Sequence, residues 1–321
     1  MSSVRSGPAR DKRAQVPRRS APSQQVEVGG RSLSLSNLDK VLWPATGTTK
    51  GDMVRYYAAI APVLLPHLCG RLVTLNRFPD GVEGTSFFEK NCPSHRPLWA
   101  ETAKMGGVNY CLVQEQATLV WLANLAAIEL HPSLATTSDL LSPTALVFDL
   151  DPGAPADILT CAEVGLLVRD LLEGLGLRTW VKTSGSKGLQ IYAPLNCGVP
   201  YTKAKPFAQA VALLMERRHP TLVISSQDRA ARTGKVLIDW SQNTASKTTV
   251  SVYSLRARAH PTVSTPVTWA EVAGALEAGE PERLVFEWEQ VLERVGRDGD
   301  VLAEVLTRRQ ELPELGGPNV L

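Results

Sequence analysis

At 321 residues, 44% of them hydrophobic, with a formal net charge of only +2, the chain can bury one large core or two modest ones, and its overall charge selects no class of partner. No apolar run approaches the ~18 residues of a membrane span, and the N-terminus lacks the apolar segment of a signal peptide. A membrane role is thereby excluded and a cytoplasmic, nucleoid-associated protein expected.

Residues 1–25 hold Arg5, Arg10, Lys12, Arg13, Arg18 and Arg19 against Asp11, a local charge of +5 that leaves −3 for the remainder. This Ser/Pro/Arg-rich tail is predicted to be disordered; it either adds sequence-independent affinity for nucleic acid or is simply solvated. Order is predicted from Val26. Thr49-Lys50-Gly51-Asp52 reads as a capping box opening a helix to about Leu68, with Met53, Tyr57, Ile60 and Leu64 at helical spacing. A β-rich stretch follows, including 72–76 and 85–89. The run 119–130 is an apolar helix or a buried strand, which periodicity does not separate. Beyond the strand around Asp149, a helix is predicted over 158–172, strands over 179–182 and 189–194, a helix over 203–217, and strands over 222–224 and 236–240. The chain from Trp269 onward reads as helical and charged. Cys69, Cys92, Cys111, Cys161 and Cys197 are odd in number, far apart and never in a C-x-x-C pair, so neither zinc nor a disulfide framework is expected. Helices and strands mix without strict βαβ alternation, which predicts an α+β fold around a mainly antiparallel sheet. The expected division is a tail (1–25), an N-terminal α/β module (26–140) and a catalytic core with C-terminal helices (141–321).

The most informative stretch is Leu146-Val147-Phe148-Asp149-Leu150-Asp151-Pro152-Gly153. Side chains alternate along a strand, so Asp149 and Asp151 share one face while Phe148 and Leu150 point into the core. Two acids on one face repel unless a cation neutralises them, and an all-oxygen pair suits Mg²⁺ or Mn²⁺ better than zinc. A strand end with solvated acids is the competing interpretation. Asp239, between Ile238 and Trp240, is a third acid in a similar setting. Three such carboxylates suit two-metal chemistry in a nucleotidyltransferase, a nuclease or a phosphatase. Between the acidic strands, Thr183-Ser184-Gly185-Ser186-Lys187-Gly188 offers hydroxyls, backbone amides and one ammonium. By composition it is either a phosphate cradle or a hairpin turn.

Together, Val147-Phe148-Asp149-Leu150-Asp151-Pro152, Thr183-Ser184-Gly185-Ser186-Lys187-Gly188-Leu189 and Ile238-Asp239-Trp240-Ser241-Gln242-Asn243 resemble, in order and spacing, the polymerase domain of bacterial non-homologous end-joining ligase D. That domain belongs to the archaeo-eukaryotic primase superfamily, with an RRM-like catalytic sheet. The chain looks like a stand-alone relative, similar to mycobacterial and actinobacterial primase-polymerases. The resemblance implies Asp149, Asp151 and Asp239 as ligands of two divalent ions, Mn²⁺ or Mg²⁺. It implies Ser184, Lys187 and Gly188 as triphosphate contacts, and Gln242 beside the nucleotide sugar. His131 matches a histidine of the nucleotide pocket. Phe87 and Phe88 match an aromatic pair that stacks on the base, although one of two strand neighbours is expected in the core. Arg77, Arg256 and Arg258 match residues near the nucleotide, and Arg232 a template contact.

Asn37, Lys40 and Lys50 match the family's pocket for a downstream 5′-phosphate, and a lysine at a helix N-terminus suits that anion physically. One departure stands out: Gln190 occupies a place where relatives usually carry histidine, and it is expected near the phosphates. The implied activity is template-dependent gap filling or end extension with a preference for ribonucleotides, in non-homologous end joining or base excision repair. The implied partners are NTP or dNTP, gapped DNA bearing a 5′-phosphate, a DNA ligase acting in trans, and Ku. De novo priming, or a weakly catalytic end-binding module, are the alternatives.

Overall fold

The computed structural model describes residues 23–228 and 230–314; the charged residues of the N-terminal tail lie outside them. The chain is already a strand at Ser23, slightly ahead of the expected start, because Ser23–Val28 pairs along its whole length with Arg31–Ser36.

The first long helix, Lys50–Leu68, begins where predicted. Thr49 Oγ1 accepts from the Asp52 amide at 3.2 Å and Asp52 Oδ2 accepts from the Thr49 amide at 2.7 Å, closing the capping box. Met53, Tyr57, Ile60 and Leu64 are all buried. Pro62 lies inside this helix and has no N–H for the Ala58 carbonyl four residues earlier. Gln116, which opens the next helix, donates its side-chain amide to that carbonyl at 2.8 Å. The break in the backbone ladder thus becomes a tie between helices.

The undecided apolar run contains both elements: a helix Gln116–Asn124, a left-handed Ala126 (φ 57°), and a strand Ala127–Pro132. That strand borders Val73–Arg77, whose other edge carries Phe87–Glu89 and the Thr102–Met105/Val108–Cys111 hairpin. Here the expectation about cysteines needs correction, since Cys92 and Cys111 form a disulfide. Their separation of 19 residues conceals the pairing in the sequence, and the hairpin brings them together. Cys69, Cys161 and Cys197 are free.

The second sheet has the order Val223–Ile224, Val236–Asp239, Ala145–Pro152, Leu189–Pro194, Trp180–Thr183, Pro266–Val267, antiparallel except for its first pair. This is the expected α+β architecture. Leu146, Phe148, Leu150, Ile191 and Ile238 cover one face and pack under helices Ile158–Gly174, Tyr201–Arg218 and Trp269–Ala278. The other face turns toward the first half of the molecule, where Trp180 and Tyr192 join the cluster built on Tyr56, Tyr57 and Leu130. The predicted strand 236–240 stops one residue early, because Asp239 Oδ1 accepts from the Ser241 amide at 2.9 Å and starts a 3₁₀ turn. After helix Trp288–Asp298, Leu302 and Val305 join the first cluster, as do Val252, Tyr253 and Val263. Among the described residues no helix is long and apolar enough to cross a membrane.

Gln116→Ala should cost about 1–3 kcal/mol by leaving the Ala58 carbonyl without a donor. The double variant Pro62→Ala/Gln116→Ala should regain most of it, since alanine in place of the proline restores the helical N–H. Urea unfolding measures both; a double variant no more stable than Gln116→Ala would show that the tie does not satisfy that carbonyl.

Candidate active site

Strand register alone assembles the acids. Asp149 is paired directly with Asp239 on one side and Gln190 on the other, and Gln190 is paired in turn with Lys182. Directly opposed residues of antiparallel strands project from the same face at roughly 5 Å, so Asp239, Asp149, Gln190 and Lys182 form one row across four strands. Asp151 lies two residues further on the same face. Burial pushes the Asp149 carboxyl up to about 6, opposed by the Gln190 amide at 3.1 Å and by Lys182, and reinforced by Asp239 and Asp151.

The three acids differ in how they are held. Asp239 Oδ1 accepts from Ser241 Oγ at 2.5 Å, and its Oδ2 accepts from Gln242 Nε2 at 2.9 Å, with Lys247 Nζ at 4.0 Å. Asp151 is drawn to cations, Arg232 Nη1 at 3.2 Å and Lys187 Nζ at 3.6 Å. The hydrogen-bond donor to Asp149 among the described residues is a neutral amide, that of Gln190. Among the described residues no three acid, histidine or cysteine side chains converge into a ready-made metal cage. The donor chemistry nevertheless fits a hard divalent cation: oxygen ligands only, and two neighbouring carboxylates, one of which holds its proton unusually tightly because it is buried beside like charges.

The turn 184–188 is organised by its own serine. Ser184 Oγ accepts from the amides of Ser186 (3.2 Å) and Gly188 (3.1 Å), and the Ser184 amide donates to the Gly188 carbonyl. These amides are therefore engaged rather than free as the sequence suggests, and the solvent-accessible donor is Lys187, whose side chain is 63% exposed and donates to the Pro152 carbonyl. Gly188 is required by packing, since a Cβ there would sit 2.0 Å from the Leu150 carbonyl oxygen. Gly185 has φ +65°, a conformation that suits glycine.

A cavity of about 330 Å³ joins these parts. Its walls include all three acids, Ser184, Lys187 and Gly188, together with His131, Gln242, Arg232, Arg256 and Arg258. Arg232, expected on the template side, is bound to Asp151 and to Gln227. Gln190, expected near the phosphates, is bound to Asp149.

Phe87 and Phe88 are 43% and 64% exposed, so neither enters the core as one of them was expected to. The strand Phe87–Glu89 is short and lies at the sheet edge, leaving both of its faces open. Phe87 lies under the Arg77 guanidinium and Phe88 meets His131 edge-on at 5.5 Å. Arg77 itself is occupied by Glu89 and the Leu125 carbonyl.

In the N-terminal part of the chain, the Lys50 amide donates to the Lys40 carbonyl at 2.8 Å, and the Lys40 amide to the Asn37 carbonyl at 3.1 Å. The three phosphate-pocket candidates are thus adjacent. Burial, with help from Lys40, pushes the Lys50 ammonium down to about 8, while Lys40 is paired with Asp80 at 2.8 Å.

Two further residues belong to the site although the sequence reading did not single them out. Glu129 is a buried acid bonded to His131, Arg256 and Asn76. Lys182 is fully buried, donates to Ser264 Oγ at 2.5 Å, and is held well below the usual lysine value by burial and by Arg256. Both carry the signal that revealed Asp149, a charge inside an apolar strand run.

Because the folded protein holds the Asp149 proton up to about pH 6 against a reference of 3.8, ionising it destabilises the fold as pH rises through that window. In chelator, Asp149→Asn should therefore be more stable than wild type by on the order of 1–3 kcal/mol at pH 7.5, with the difference vanishing toward pH 4. A wild type that matched or exceeded the variant at pH 7.5 in urea unfolding would contradict this.

Residues 49–302 match the family described as the LigD primase-polymerase domain. The chain is 44% identical over 282 residues to the multifunctional non-homologous end joining DNA repair protein LigD of Mycobacterium tuberculosis, covering 84% of this chain and 36% of that protein. It is 30% identical over 301 residues to the bifunctional non-homologous end joining protein LigD of Bacillus subtilis, covering 94% and 47%. It therefore spans between a third and a half of the length of these curated relatives. The solved polymerase domain of Mycobacterium tuberculosis ligase D in complex with DNA superimposes with a TM-score of 0.79 at 42% identity, over 87% of this chain and 99% of that one. With family motif, sequence identity and fold in agreement, the chain belongs to the LigD primase-polymerase domain family of divalent-metal-dependent nucleotidyltransferases.

Proposed function

We propose that the protein is a template-dependent polymerase that fills short gaps or extends ends during DNA repair, with two divalent ions, Mn²⁺ or Mg²⁺, and a preference for ribonucleotides. The observation that carries this reading is the placement of three strand acids and a lysine-bearing phosphate turn on the walls of one cavity. Asp149 and Asp239, with Asp151, are the residues that would hold the ions. Bound there, divalent ions would lower the pKa of the primer hydroxyl and neutralise the triphosphate.

The chain's own groups account for the rest. Lys187, exposed and tethered among the described residues to a carbonyl and to Asp151, turns its ammonium toward the incoming phosphates, and Arg258 and Arg256 add positive charge to the same cavity. Gln242 and the Ser241 hydroxyl fix the rotamer of Asp239. Phe88 and His131 offer a stacking surface for the base. The primer 3′-hydroxyl gives up its proton to water, its oxygen forms a bond to the α-phosphorus as the bond to the bridging oxygen breaks, and pyrophosphate leaves with that electron pair. The product of filling a gap is a nick, the substrate of a DNA ligase, and the named role of the relatives in end joining makes Ku the expected end-holding partner.

Asp149→Ala, Asp151→Ala and Asp239→Ala should each reduce nucleotide addition by at least about a hundredfold, while each variant still unfolds cooperatively as a folded protein. Extension across a one-nucleotide gap in Mn²⁺, with matched ribo- and deoxyribonucleotides, is the assay. Near-wild-type extension by any of the three removes that residue from the metal set, and a wild-type preference for deoxyribonucleotides removes the sugar assignment.

The adjacency of Asn37, Lys40 and Lys50 supports selection of a downstream 5′-phosphate. Wild type should bind gapped DNA bearing that phosphate roughly ten- to a hundredfold more tightly than the 5′-hydroxyl form, as expected for charge-assisted contacts. The preference should disappear in Lys40→Ala/Lys50→Ala. Equal binding of the two DNAs by wild type would overturn the assignment.

A further inference from the structure

Glu129 lies mid-strand in Ala127–Pro132 with 6% exposure, and each of its oxygens accepts two donors. Oε1 takes Arg256 Nε at 3.0 Å and the Ala257 amide at 3.1 Å; Oε2 takes Asn76 Nδ2 at 3.1 Å and His131 Nε2 at 3.0 Å. His131 and Arg256 together hold the carboxyl well below its usual range even though burial opposes them, so Glu129 is an anion that accepts from all four.

The two charged-side partners lead in different directions. Arg256 continues to the Ser184 carbonyl, and Ser184 is the residue whose hydroxyl gathers the amides of the phosphate turn. His131 continues to Phe88, which it meets edge-on. One carboxylate therefore links the turn on the catalytic sheet with the aromatic surface on the first sheet. Of the four donors, His131 and Arg256 are the ones that line the cavity.

We propose that Glu129 is a positioning residue for the nucleotide: it sets the distance between the His131–Phe88 surface and the Ser184 turn, so that base and triphosphate are engaged together. This inference rests on the polymerase reading above. Glutamine at 129 exposes its consequence, because an amide has one accepting and one donating end. In either orientation the NH₂ group faces one pair of donors, and either the Arg256 side or the His131 side loses its acceptor.

The test is calorimetric titration of a non-hydrolysable ribonucleoside triphosphate into protein, Mn²⁺ and gapped DNA, for wild type, Glu129→Gln, Glu129→Asp, Arg256→Gln and the double variant Glu129→Gln/Arg256→Gln. Unfolding midpoints and single-gap extension are measured on the same preparations. Glu129→Gln should weaken nucleotide binding roughly ten- to a hundredfold, the range for a charge-assisted hydrogen bond. It should raise KM while leaving kcat nearly unchanged, the signature of lost binding common to ground and transition states. Glu129→Asp should fall between it and wild type. The double variant should bind less weakly than the product of the single effects, since both cut one chain of contacts.

Wild-type affinity in Glu129→Gln, or fully multiplicative effects in the double variant, overturns the inference. If Glu129→Gln does not fold, Glu129→Asp decides: its charge is retained but its reach is shorter, and wild-type affinity there overturns the inference equally. Wild type that binds the triphosphate but does not extend overturns the polymerase reading alone, and wild type that does not bind it overturns both.

Discussion

The structure is organised around an unfavourable contact, the direct pairing of Asp149 with Asp239 on neighbouring strands. Like charges opposed across a sheet are destabilising, and here burial adds to the repulsion on Asp149. Nothing in the local backbone requires the pairing, since apolar residues would occupy that face at lower free energy. Its persistence is best understood through what a cation would gain there. The same two carboxylates that repel in its absence would act as a joint ligand, so that destabilisation of the metal-free fold and affinity for a divalent ion would have one origin.

Such a row has to be held by its surroundings, and the second half of the chain does this. The segment 249–265 runs between the two sheets. Its Ser251 amide donates to the Leu130 carbonyl at 2.8 Å, and the Thr183 amide donates to its Thr265 carbonyl at 2.8 Å. Tyr56 and Tyr57 reach from the first helix to the Tyr253 carbonyl and to the Leu255 amide. The two sheets are thus joined beside the acids by a segment distant in sequence from the first sheet, and Glu129 and Arg256 complete the polar part of that joint. A buried anion contributes little to stability by itself, and removing its partners is what costs. That asymmetry makes Glu129 more valuable for fixing geometry than for holding the fold together.

The features legible in the sequence share a property: they are set by local chemistry. The capping box at Thr49, the alternation through Asp149 and Asp151, and the strand Leu189–Pro194 depend on neighbours a few residues away, and the structure reproduces them. Asp239 could be suspected but its register could not, because which residue it opposes is decided by strand pairing. Long-range contacts were the blind spot. The Cys92–Cys111 bond depends on a hairpin between them, and Ala126 splits an apolar run whose periodicity is continuous. Phe87 and Phe88 stay exposed because their strand is at an edge, a fact of topology. Glu129 and Lys182 had the right local signal but no nearby partner to draw attention to them.

The row also gives a physical reason for the glutamine that replaces the histidine expected from the family resemblance. Residue 190 is flanked in register by Asp149 and by Lys182. Lys182 is fully buried, donates to the Ser264 hydroxyl, and has Arg256 as a second cation bearing on it. An imidazolium between them would satisfy Asp149 but would add a third positive charge to a region where burial already opposes the second. A neutral amide meets Asp149 without adding charge: its N–H donates to Asp149 at 3.1 Å, while its oxygen is buried without a donor of its own. Glutamine at 190 thus answers Asp149 without adding a charge beside the buried Lys182.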